Sequence, residues 1–577
     1  EKALSLYRES AADGYLPAIC SLGLCYETGD GVAEDKAQAV EWYTRAAEGG
    51  YAPAQTNLAY CFLTGIGMEA APEKAIPWLE KAAEQGQARA QSLLGSCYRD
   101  GDGVEADAAQ AAEWYGKAAK QNYPPAMCSL GLAFELGEGL TEDPAKAVYW
   151  YTKAAGEGYA PAMTNLAVCL LNGTGAERSA EEAVGWLEKA AEQEFPRAQG
   201  ILGDLLLTGN GVPEDKARAV ELYRAAAKGG YVPAMCDLGL CYENGDGVEE
   251  DLRHAVLWYR KSAEEGYAPG QCNLAVCYLN GNGVERDAAA AVRWLEKAAA
   301  QGNARAQSIL GDLCRDGEGT EMDAARAFQL YTQAAEQGYP RAQCNLGYCY
   351  ESGKGVKEDK ARAVKLYRQA AEQGSSVGQC NLGYCMLKGI GIRPDPAQAV
   401  YWFRKAAEGG SGRAMCLLGD CYREGQGVEA DAAQARTCYQ KAIDLGFDAK
   451  EELERLYGVK VLACQADGGV EEQVAAVVKQ AADTLGRIDF LINNAQNSAS
   501  GVPLAEHTKE QFDQAIYSGL YAAFFYMKHC YPYLKETKGS VVNFASGAGL
   551  FGKPGQSSYA AAKEGIRGMT RVAATEW

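Results

Sequence analysis

A 36-residue period runs through most of the 577 residues and limits what the chain can fold into. The segment from Tyr15, YLPAICSLGLCYETGDGVAEDKAQAVEWYTRAAEGG, restarts in the same frame without any insertion. The twelve frames begin at Tyr15, Tyr51, Gln87, Tyr123, Tyr159, Phe195, Tyr231, Tyr267, Asn303, Tyr339, Ser375 and Ser411. A fixed period of this length is typical of a solenoid, in which each repeat buries its apolar face only by stacking on its neighbours.

Each repeat is predicted to form two helices joined by a glycine turn. Pro17 suits the first turn of a helix, where its missing N–H costs nothing. The first helix ends at Gly29 and Gly31, because glycine tolerates the positive φ of a helix end. Asp35 is placed to cap the second helix, whose inner face includes Tyr43. We therefore expect a mainly α protein, a right-handed α-solenoid of helix-turn-helix repeats with a long concave surface.

A longer period of three repeats is superimposed on the first. Most second helices carry Trp-Tyr or Leu-Tyr, but three carry Trp-Leu, at Trp78-Leu79, Trp186-Leu187 and Trp294-Leu295. This spacing indicates that a block of three repeats was duplicated. We interpret the recurring aromatic residues as core packing rather than as a ligand cage.

The repeat pattern is A-x-x-x-L-G-x-x-Y-x-x-G-x-G-V-x-x-D-x-x-x-A-x-x-W-Y-x-x-A-A-x-x-G, well kept from Tyr231. It resembles the SEL-one-like repeat (SLR) family, a relative of the tetratricopeptide repeat, over about residues 1–446. The resemblance implies a scaffold or adaptor that holds protein partners in its concave groove, with no cofactor for the solenoid. The repeats from Tyr51 and Tyr159 depart from the pattern because they lack its Val–Asp turn.

Charge excludes several classes of partner. Lys and Arg number 56 and Asp and Glu 76, which gives a net charge of −20. A surface this negative repels phosphate groups, so we expect no nucleic-acid binding, and no apolar run approaches the ~20 residues of a membrane span. The chain opens at Glu1 in a helical segment without a start Met, so we expect a natural N-terminus upstream and, on the sequence in hand, a cytoplasmic location.

The 20 cysteines admit two interpretations. Many are five residues apart, as at Cys20 and Cys25, where side chains on one helix point about 140° from each other and cannot bond. They also lack the C-x-x-C spacing of zinc sites. We interpret them as free thiols in small buried positions and expect no metal; disulfides or metal binding are the alternative.

From about Gly458 the repeat gives way to alternating strands and helices. Strands are predicted for GVKVLACQAD (458–467), RIDFLINNA (487–495) and GSVVNFAS (539–546), and helices for Glu471–Leu485, Lys509–Leu534 and Ser558–Trp577. This alternation indicates a parallel α/β unit. The junction, 447–457, contains a predicted helix, Ala449–Tyr457, that either caps the solenoid or precedes the first of these strands.

An ordered set of residues in this segment resembles the short-chain dehydrogenase/reductase family: Gly486-Arg487-Ile488-Asp489, Asn493-Asn494-Ala495, Ser546 and Tyr559-x-x-x-Lys563. Lys563 lies one helical turn past Tyr559 on the same face, and a nearby ammonium favours the ionised form of a phenol. The tyrosine can then exchange a proton with a carbonyl oxygen as hydride moves. The resemblance implies Ser546, Tyr559 and Lys563 as catalytic residues. It implies contacts to NAD or NADP, if the segment is functional, from Asp467, Asn493, Asn494, Ala495, Tyr559 and Lys563.

The departures from that family set the expected function. Its T-G-x-x-x-G-x-G loop and first two strands should precede Gly458, where the repeat lies instead, and that loop holds the pyrophosphate. The chain also stops at Trp577 before the family's last strands, Gln496 replaces a glycine, and Gly519 falls where the catalytic Asn is expected. We expect 458–577 to be a truncated Rossmann-like segment, inactive on its own, carried by a protein-interaction scaffold. The alternatives are an NAD(P)-dependent short-chain oxidoreductase tethered to a repeat scaffold, and a joining of two unrelated sequences.

Overall fold

A computed structural model describes residues 2–447, 462, 464, 466–494, 503–506, 508–544, 546 and 556–577. The chain forms two compact units, Glu1–Ala342 with Lys354–Val356, and Gln343–Gly353 with Lys357–Trp577. The predicted helix Ala449–Tyr457, most of the predicted strand 458–467 and Ala495 lie outside the described residues.

The first unit is a succession of short paired helices, as the period predicts. They are α1 (Lys2–Ala12), α2 (Leu16–Thr28), α3 (Lys36–Glu48), α4 (Ala52–Thr64), α5 (Pro72–Glu84), α6 (Ala88–Asp100), α7 (Ala108–Ala119), α8 (Pro124–Leu136), α9 (Pro144–Gly156), α10 (Ala160–Asn172), α11 (Ala180–Glu192), α12 (Pro196–Thr208), α13 (Lys216–Lys228), α14 (Val232–Asn244), α15 (Leu252–Glu264), α16 (Ala268–Asn280), α17 (Ala288–Ala300), α18 (Ala304–Asp316) and α19 (Ala324–Glu336).

The second unit contains most of one helix and five further helices of the repeat. They are α20 (Pro340–Ser352), α21 (Lys360–Glu372), α22 (Ser376–Lys388), α23 (Pro396–Glu408), α24 (Gly412–Glu424) and α25 (Ala432–Asp444). The prediction of a mainly α solenoid of helix-turn-helix repeats is confirmed.

The ends of these helices follow from the sequence. The carboxylate of Asp35 accepts a hydrogen bond from the Gln38 backbone N–H at 2.9 Å, and aspartates at the same phase cap ten of the second helices in this way, Ser179 an eleventh. Ala71 occupies the cap position of α5 and provides no side-chain cap. Gly29 closes α2 with φ 72°, so the predicted glycine turn is present.

The L-G part of the pattern is explained by packing inside each repeat. The ring of Tyr43 is fully buried against Gly23, where a Cβ would lie 2.6 Å from Cε1. In the three repeats in which Leu replaces this tyrosine, Ala replaces the glycine, as the pairs Leu79/Ala59, Leu187/Ala167 and Leu295/Ala275 show. Because the smaller side chain leaves room for the extra methyl group, the two positions change together.

Buried glutamines connect successive repeats through hydrogen bonds. The Gln91 side-chain amide donates to the Ala83 carbonyl at 3.0 Å, and its oxygen accepts from Gln121 at 2.8 Å. The same arrangement recurs at Gln55, Gln271 and Gln307. Each amide satisfies a backbone carbonyl of the preceding helix, so the buried polar group stabilises the stacking of repeats.

All twenty cysteines are free thiols, and all but Cys464 are buried. Burial raises the pKa of Cys236 to about 12 and that of Cys61 to about 11. A thiol with a raised pKa carries little thiolate at neutral pH and is chemically inert. The cysteines therefore act as small core residues, in agreement with the interpretation from their spacing.

Beyond the repeats, the second unit contains a small parallel α/β arrangement. Strands β1 (Phe490–Asn493) and β2 (Ser540–Asn543) pair in parallel, and the helices are α26 (Glu471–Leu485), α27 (Lys509–Ala515), a π-helix (Ile516–Tyr521), α28 (Ala522–Thr537) and α29 (Ser557–Glu576), with a 3₁₀ turn at Leu504–Glu506. The two strands, α26 and α29 confirm the predictions for those stretches.

The two faces of this sheet differ in burial. Leu491 and Val541 pack against α26 and α28 around Val474 and Leu534. On the other face, the described residues leave Phe490 70% exposed and Ile492 62% exposed. A two-stranded parallel sheet with one covered face corresponds to part of a doubly wound fold, which confirms the expected truncated Rossmann-like segment.

Candidate functional sites

One position recurs on the first helix of every repeat, directly after the Gly or Ala that packs on the buried Tyr, Phe or Leu of the second helix. We name it the variable column: Leu24, Tyr60, Ser96, Leu132, Val168, Asp204, Leu240, Val276, Asp312, Tyr348, Tyr384 and Asp420. Every member is exposed or half-buried, whereas the preceding Gly or Ala is buried. The chemistry of this position therefore varies from repeat to repeat, whereas the residue before it is always a buried Gly or Ala.

An Arg–Asn contact recurs once in every three repeats, and in the first three of its four described copies the asparagine also donates to a cysteine sulfur. The Asn57 side chain donates to the Cys20 sulfur at 3.7 Å and accepts from the Arg89 guanidinium at 2.9 Å. Equivalent Arg–Asn bonds measure 2.8 Å at Arg197–Asn165, 2.7 Å at Arg305–Asn273 and 2.9 Å at Arg413–Asn381. Because each arginine is bound to a neutral amide, this contact leaves its positive charge unneutralised, and such a cation recurs once in every three repeats.

Sequence reasoning did not identify these arginines as a set. The partners are 32 residues apart and belong to adjacent repeats, so no helical periodicity within one repeat reveals them. The signal that could have identified them is the three-repeat period. Each repeat with a Trp-Leu pair also carries an asparagine at one fixed position, as at Asn57, Asn165 and Asn273.

In the α/β segment, a cavity of about 550 Å³ joins four of the residues predicted to contact a cofactor. Its lining includes Asp467, Asn493, Asn494 and Lys563, together with Gly519 on the π-helix. The Asn493 side chain donates to the Asn543 oxygen at 2.7 Å, across the pair of strands. The cavity therefore lies at the carboxyl end of β1, the edge at which ligands bind in parallel sheets.

Lys563 is the buried cation of this site, with 4% of its surface exposed. Its Nζ donates to the Phe544 carbonyl oxygen at 2.9 Å and lies 5.7 Å from the centroid of the Tyr559 ring. The predicted Tyr559–Lys563 neighbourhood is thus present on α29. One of the three ammonium donors is used by the backbone, which fixes the lysine at the end of β2.

The predicted catalytic residues Ser546 and Tyr559 are placed differently from Lys563. Among the described residues that form its wall, neither Ser546 nor Tyr559 is present. The Ser546 carbonyl oxygen accepts from Arg567 at 3.2 Å. Asp467 closes the turn before α26, since its carboxylate accepts from the Gly469 N–H at 2.8 Å.

The fold and these contacts define a class of protein, a helical-repeat solenoid that carries part of a dinucleotide-binding fold. A model of the Sel1 repeat matches twelve consecutive segments from 16–51 to 412–447, and the chain belongs to this family. It is similar to the crystal structure of a protective antigen of uropathogenic Escherichia coli that displays an SLR fold. The TM-score is 0.52 at 29% identity, and the match covers 88% of this chain and 99% of that one.

The C-terminal segment matches a second model, short chain dehydrogenase, over residues 430–577. It is 66% identical over 134 residues to a 12alpha-hydroxysteroid dehydrogenase from Clostridium sp., covering 22% of this chain and 52% of that protein. It is also 37% identical over 136 residues to a 2,5-dichloro-2,5-cyclohexadiene-1,4-diol dehydrogenase from Sphingobium indicum, covering 23% and 54%. The chain thus spans about half the length of these relatives.

The described helices include none with the length and apolar character that crossing a bilayer requires.

Proposed function

We propose that the protein is a scaffold that binds other proteins through the exposed face of its first helices. Membership of the Sel1 repeat family supports a role in protein binding. The net charge of −20 argues against nucleic acid as the bound polymer.

The observation that carries this proposal is the variable column. Leu24, Leu240 and Tyr348 are large apolar side chains that remain exposed in the described structure, although neighbouring positions of the same helices are fully buried. Exposed apolar groups that recur at one position of a helical repeat, with polar groups at that position in other repeats, are typical of an interaction surface. Variation among repeats then supplies specificity, because the supporting helices do not change.

Affinity capture with the full chain tests the scaffold. Leu24→Glu and Leu240→Glu place charge on the column, and Leu257→Glu is the matched control because Leu257 is similarly exposed on a second helix. We expect partners captured by the wild-type chain to be lost with the column variants and kept with the control. Equal retention by all variants would refute binding through the first helices.

We further propose that the α/β segment does not catalyse turnover by itself. Residues before Gly458 supply no glycine-rich loop for the cofactor pyrophosphate, and Gly519 cannot perform the proton relay of an asparagine side chain. The Lys563 ammonium is also partly committed to the Phe544 carbonyl. Cofactor affinity would therefore rest on one half of a site that normally has two.

A second candidate function is an NAD(P)-dependent oxidoreductase. The cavity that joins Asp467, Asn493, Asn494 and Lys563 favours it, as does 66% identity to a hydroxysteroid dehydrogenase. In this alternative Tyr559 exchanges the proton with a carbonyl or hydroxyl oxygen of a hydroxysteroid, while hydride passes between the carbon and the nicotinamide.

Titration of the intact chain with NADH and NADPH, followed by nicotinamide fluorescence, separates the two candidates. The Clostridium relative serves as the positive control. We expect no saturable signal from this chain. Saturable binding, together with oxidation of a 12α-hydroxysteroid that Tyr559→Phe abolishes, would establish the oxidoreductase instead.

A further inference from the structure

Three members of the variable column are aspartates, and each holds the buried tyrosine of its own repeat. The tyrosine hydroxyl donates to the carboxylate at 2.7 Å in Tyr223–Asp204, 2.7 Å in Tyr331–Asp312 and 2.8 Å in Tyr439–Asp420. These repeats begin at Phe195, Asn303 and Ser411, three repeats apart. They therefore offer three copies of one arrangement that can be compared within a single chain.

In two of the copies, the chain supplies its own cation. Asp312 accepts from Arg341 at 2.6 Å and lies 3.3 Å from Arg315, and its side chain is only 13% exposed. Asp420 pairs with Arg423 at 3.0 Å. A carboxylate at this position of the column thus forms an ion pair with a guanidinium group when the chain places one nearby.

The repeat that contains Asp204 has the carboxylate but no arginine at either of the two corresponding positions. Leu207 stands at the position of Arg315 and Arg423, and Pro233 stands at the position of Arg341. Across residues 2–447, neither an arginine nor a lysine is paired with Asp204, and its side chain is exposed.

A second carboxyl group, on the first helix of the next repeat, lies close enough to Asp204 to feel its charge. Asp237 is the one acidic residue at its repeat phase, where the sequence otherwise carries Ser, Asn, Leu or Ile. Burial, and then the charge of Asp204, raise the pKa of Asp237 to about 7. A cation bound near both carboxyl groups would favour the ionised form of each.

We propose that Asp204 and Asp237 form a docking subsite for an arginine side chain of a protein partner. This inference rests on the proposed scaffold function and names the partner's chemistry. Charge complementarity selects a cation, and the planar, forked guanidinium fits two carboxylates better than an ammonium does. Val168 and Leu240 are the neighbouring members of the variable column, and Leu240 is exposed.

The proposal can be tested by giving the chain an arginine of its own beside Asp204. Leu207→Arg places an arginine where the repeats from Asn303 and Ser411 have Arg315 and Arg423. Leu171→Arg is the matched control: it adds the same charge at the same phase one repeat earlier, where Val168 stands in place of the aspartate and both leucines are partly buried. Asp237→Asn removes one carboxylate without adding a cation.

The probe is a fluorescein-labelled peptide, Ala-Leu-Arg-Val-Ala, with versions that carry Lys, Gln or Glu at the centre, measured by anisotropy on the full chain. We expect the arginine peptide to bind most tightly. Leu207→Arg and Asp237→Asn should each weaken it about tenfold, and Leu171→Arg less than twofold.

Equal weakening by Leu207→Arg and Leu171→Arg would overturn the proposal, because the effect would then be one of net charge. Equally tight binding of the glutamine peptide would also overturn it, while leaving the scaffold function intact. If no peptide binds, the subsite is rejected, and the capture experiment with column variants still decides the scaffold function separately.

Discussion

Gly383 on α22 and Phe403 on α23 provide a direct test of the pairing between glycine and a buried ring. A Cβ on Gly383 would lie 2.8 Å from Phe403 Cε1 and 3.1 Å from the Ala399 carbonyl oxygen. Carbon atoms are at their optimum at about 3.5–4.0 Å, so the methyl group of Gly383→Ala would overlap the ring by roughly 0.7 Å or more. Phe403 has no hydroxyl group, so shortening it breaks no hydrogen bond.

The expected change in the free energy of unfolding for Gly383→Ala is the difference between two contributions. Overpacking costs about 1–3 kcal/mol, and exchange of a mid-helix glycine for alanine contributes about 0.5–1 kcal/mol of stability. We expect Gly383→Ala to lose roughly 1–2 kcal/mol in local unfolding free energy. Phe403→Leu alone should cost on the order of 1 kcal/mol for its cavity. The double variant reproduces the Ala–Leu pair of the Trp-Leu repeats, and we expect the two losses to cancel in large part.

Native-state hydrogen exchange of α22 and α23 in the full chain is the appropriate assay, because a solenoid need not unfold as one cooperative unit. The matched control is Gly185→Ala on α11, where a new Cβ meets no atom within 4 Å. That variant should gain about 0.5–1 kcal/mol. If Gly383→Ala behaves like the control, or if its effect adds to that of Phe403→Leu without compensation, the packing explanation is wrong.

Three further outcomes are expected. Asp215→Ala removes the cap of α13 and should cost about 1 kcal/mol, measured by exchange of the first-turn amides. Gln91→Leu leaves the Ala83 carbonyl buried without its donor and should cost about 1–3 kcal/mol in the same assay, whereas a surface glutamine variant should not. Because the folded state raises the pKa of Asp237 above its unfolded value, the stability it contributes is largest below about pH 4 and is lost as pH rises through about 7. Thermal midpoints at pH 5 and pH 8 should differ less in Asp237→Asn than in the wild type.

The sequence predicts the secondary structure of the solenoid well because each signal is local. The cap at Asp35, the left-handed glycine at Gly29 and the aromatic residue at Tyr43 act within one repeat, and twelve copies reinforce one another. The Arg89–Asn57–Cys20 contact could not be predicted in this way. It depends on the angle between adjacent repeats, which is set by packing rather than by helix periodicity.

In the α/β segment as well, the sequence predicts the elements better than the contacts between them. The prediction of a helix over Lys509–Leu534 found the start correctly, but the helix continues to Thr537. It also missed the π-helix at Ile516–Tyr521, since a shift from i+4 to i+5 hydrogen bonding leaves no clear apolar pattern. The motif spacing likewise placed Tyr559 and Lys563 on one face of α29. It did not reveal that the Lys563 ammonium binds the Phe544 carbonyl, because that partner lies on another element.

A binding surface made of identical repeats has a problem of register, because a partner shifted by a whole block meets the same groups again. The arginines at Arg89, Arg197 and Arg305 repeat in this way within the first unit, so they do not distinguish one block of three repeats from the next. The loss of the internal arginine beside Asp204 breaks this equivalence at one place. A charge-assisted hydrogen bond there contributes about 1.5–3 kcal/mol, and 1.4 kcal/mol corresponds to a tenfold preference. A single departure from the repeat is therefore large enough to select one alignment, so sequence differences between otherwise equivalent repeats are where specificity in this solenoid should be sought.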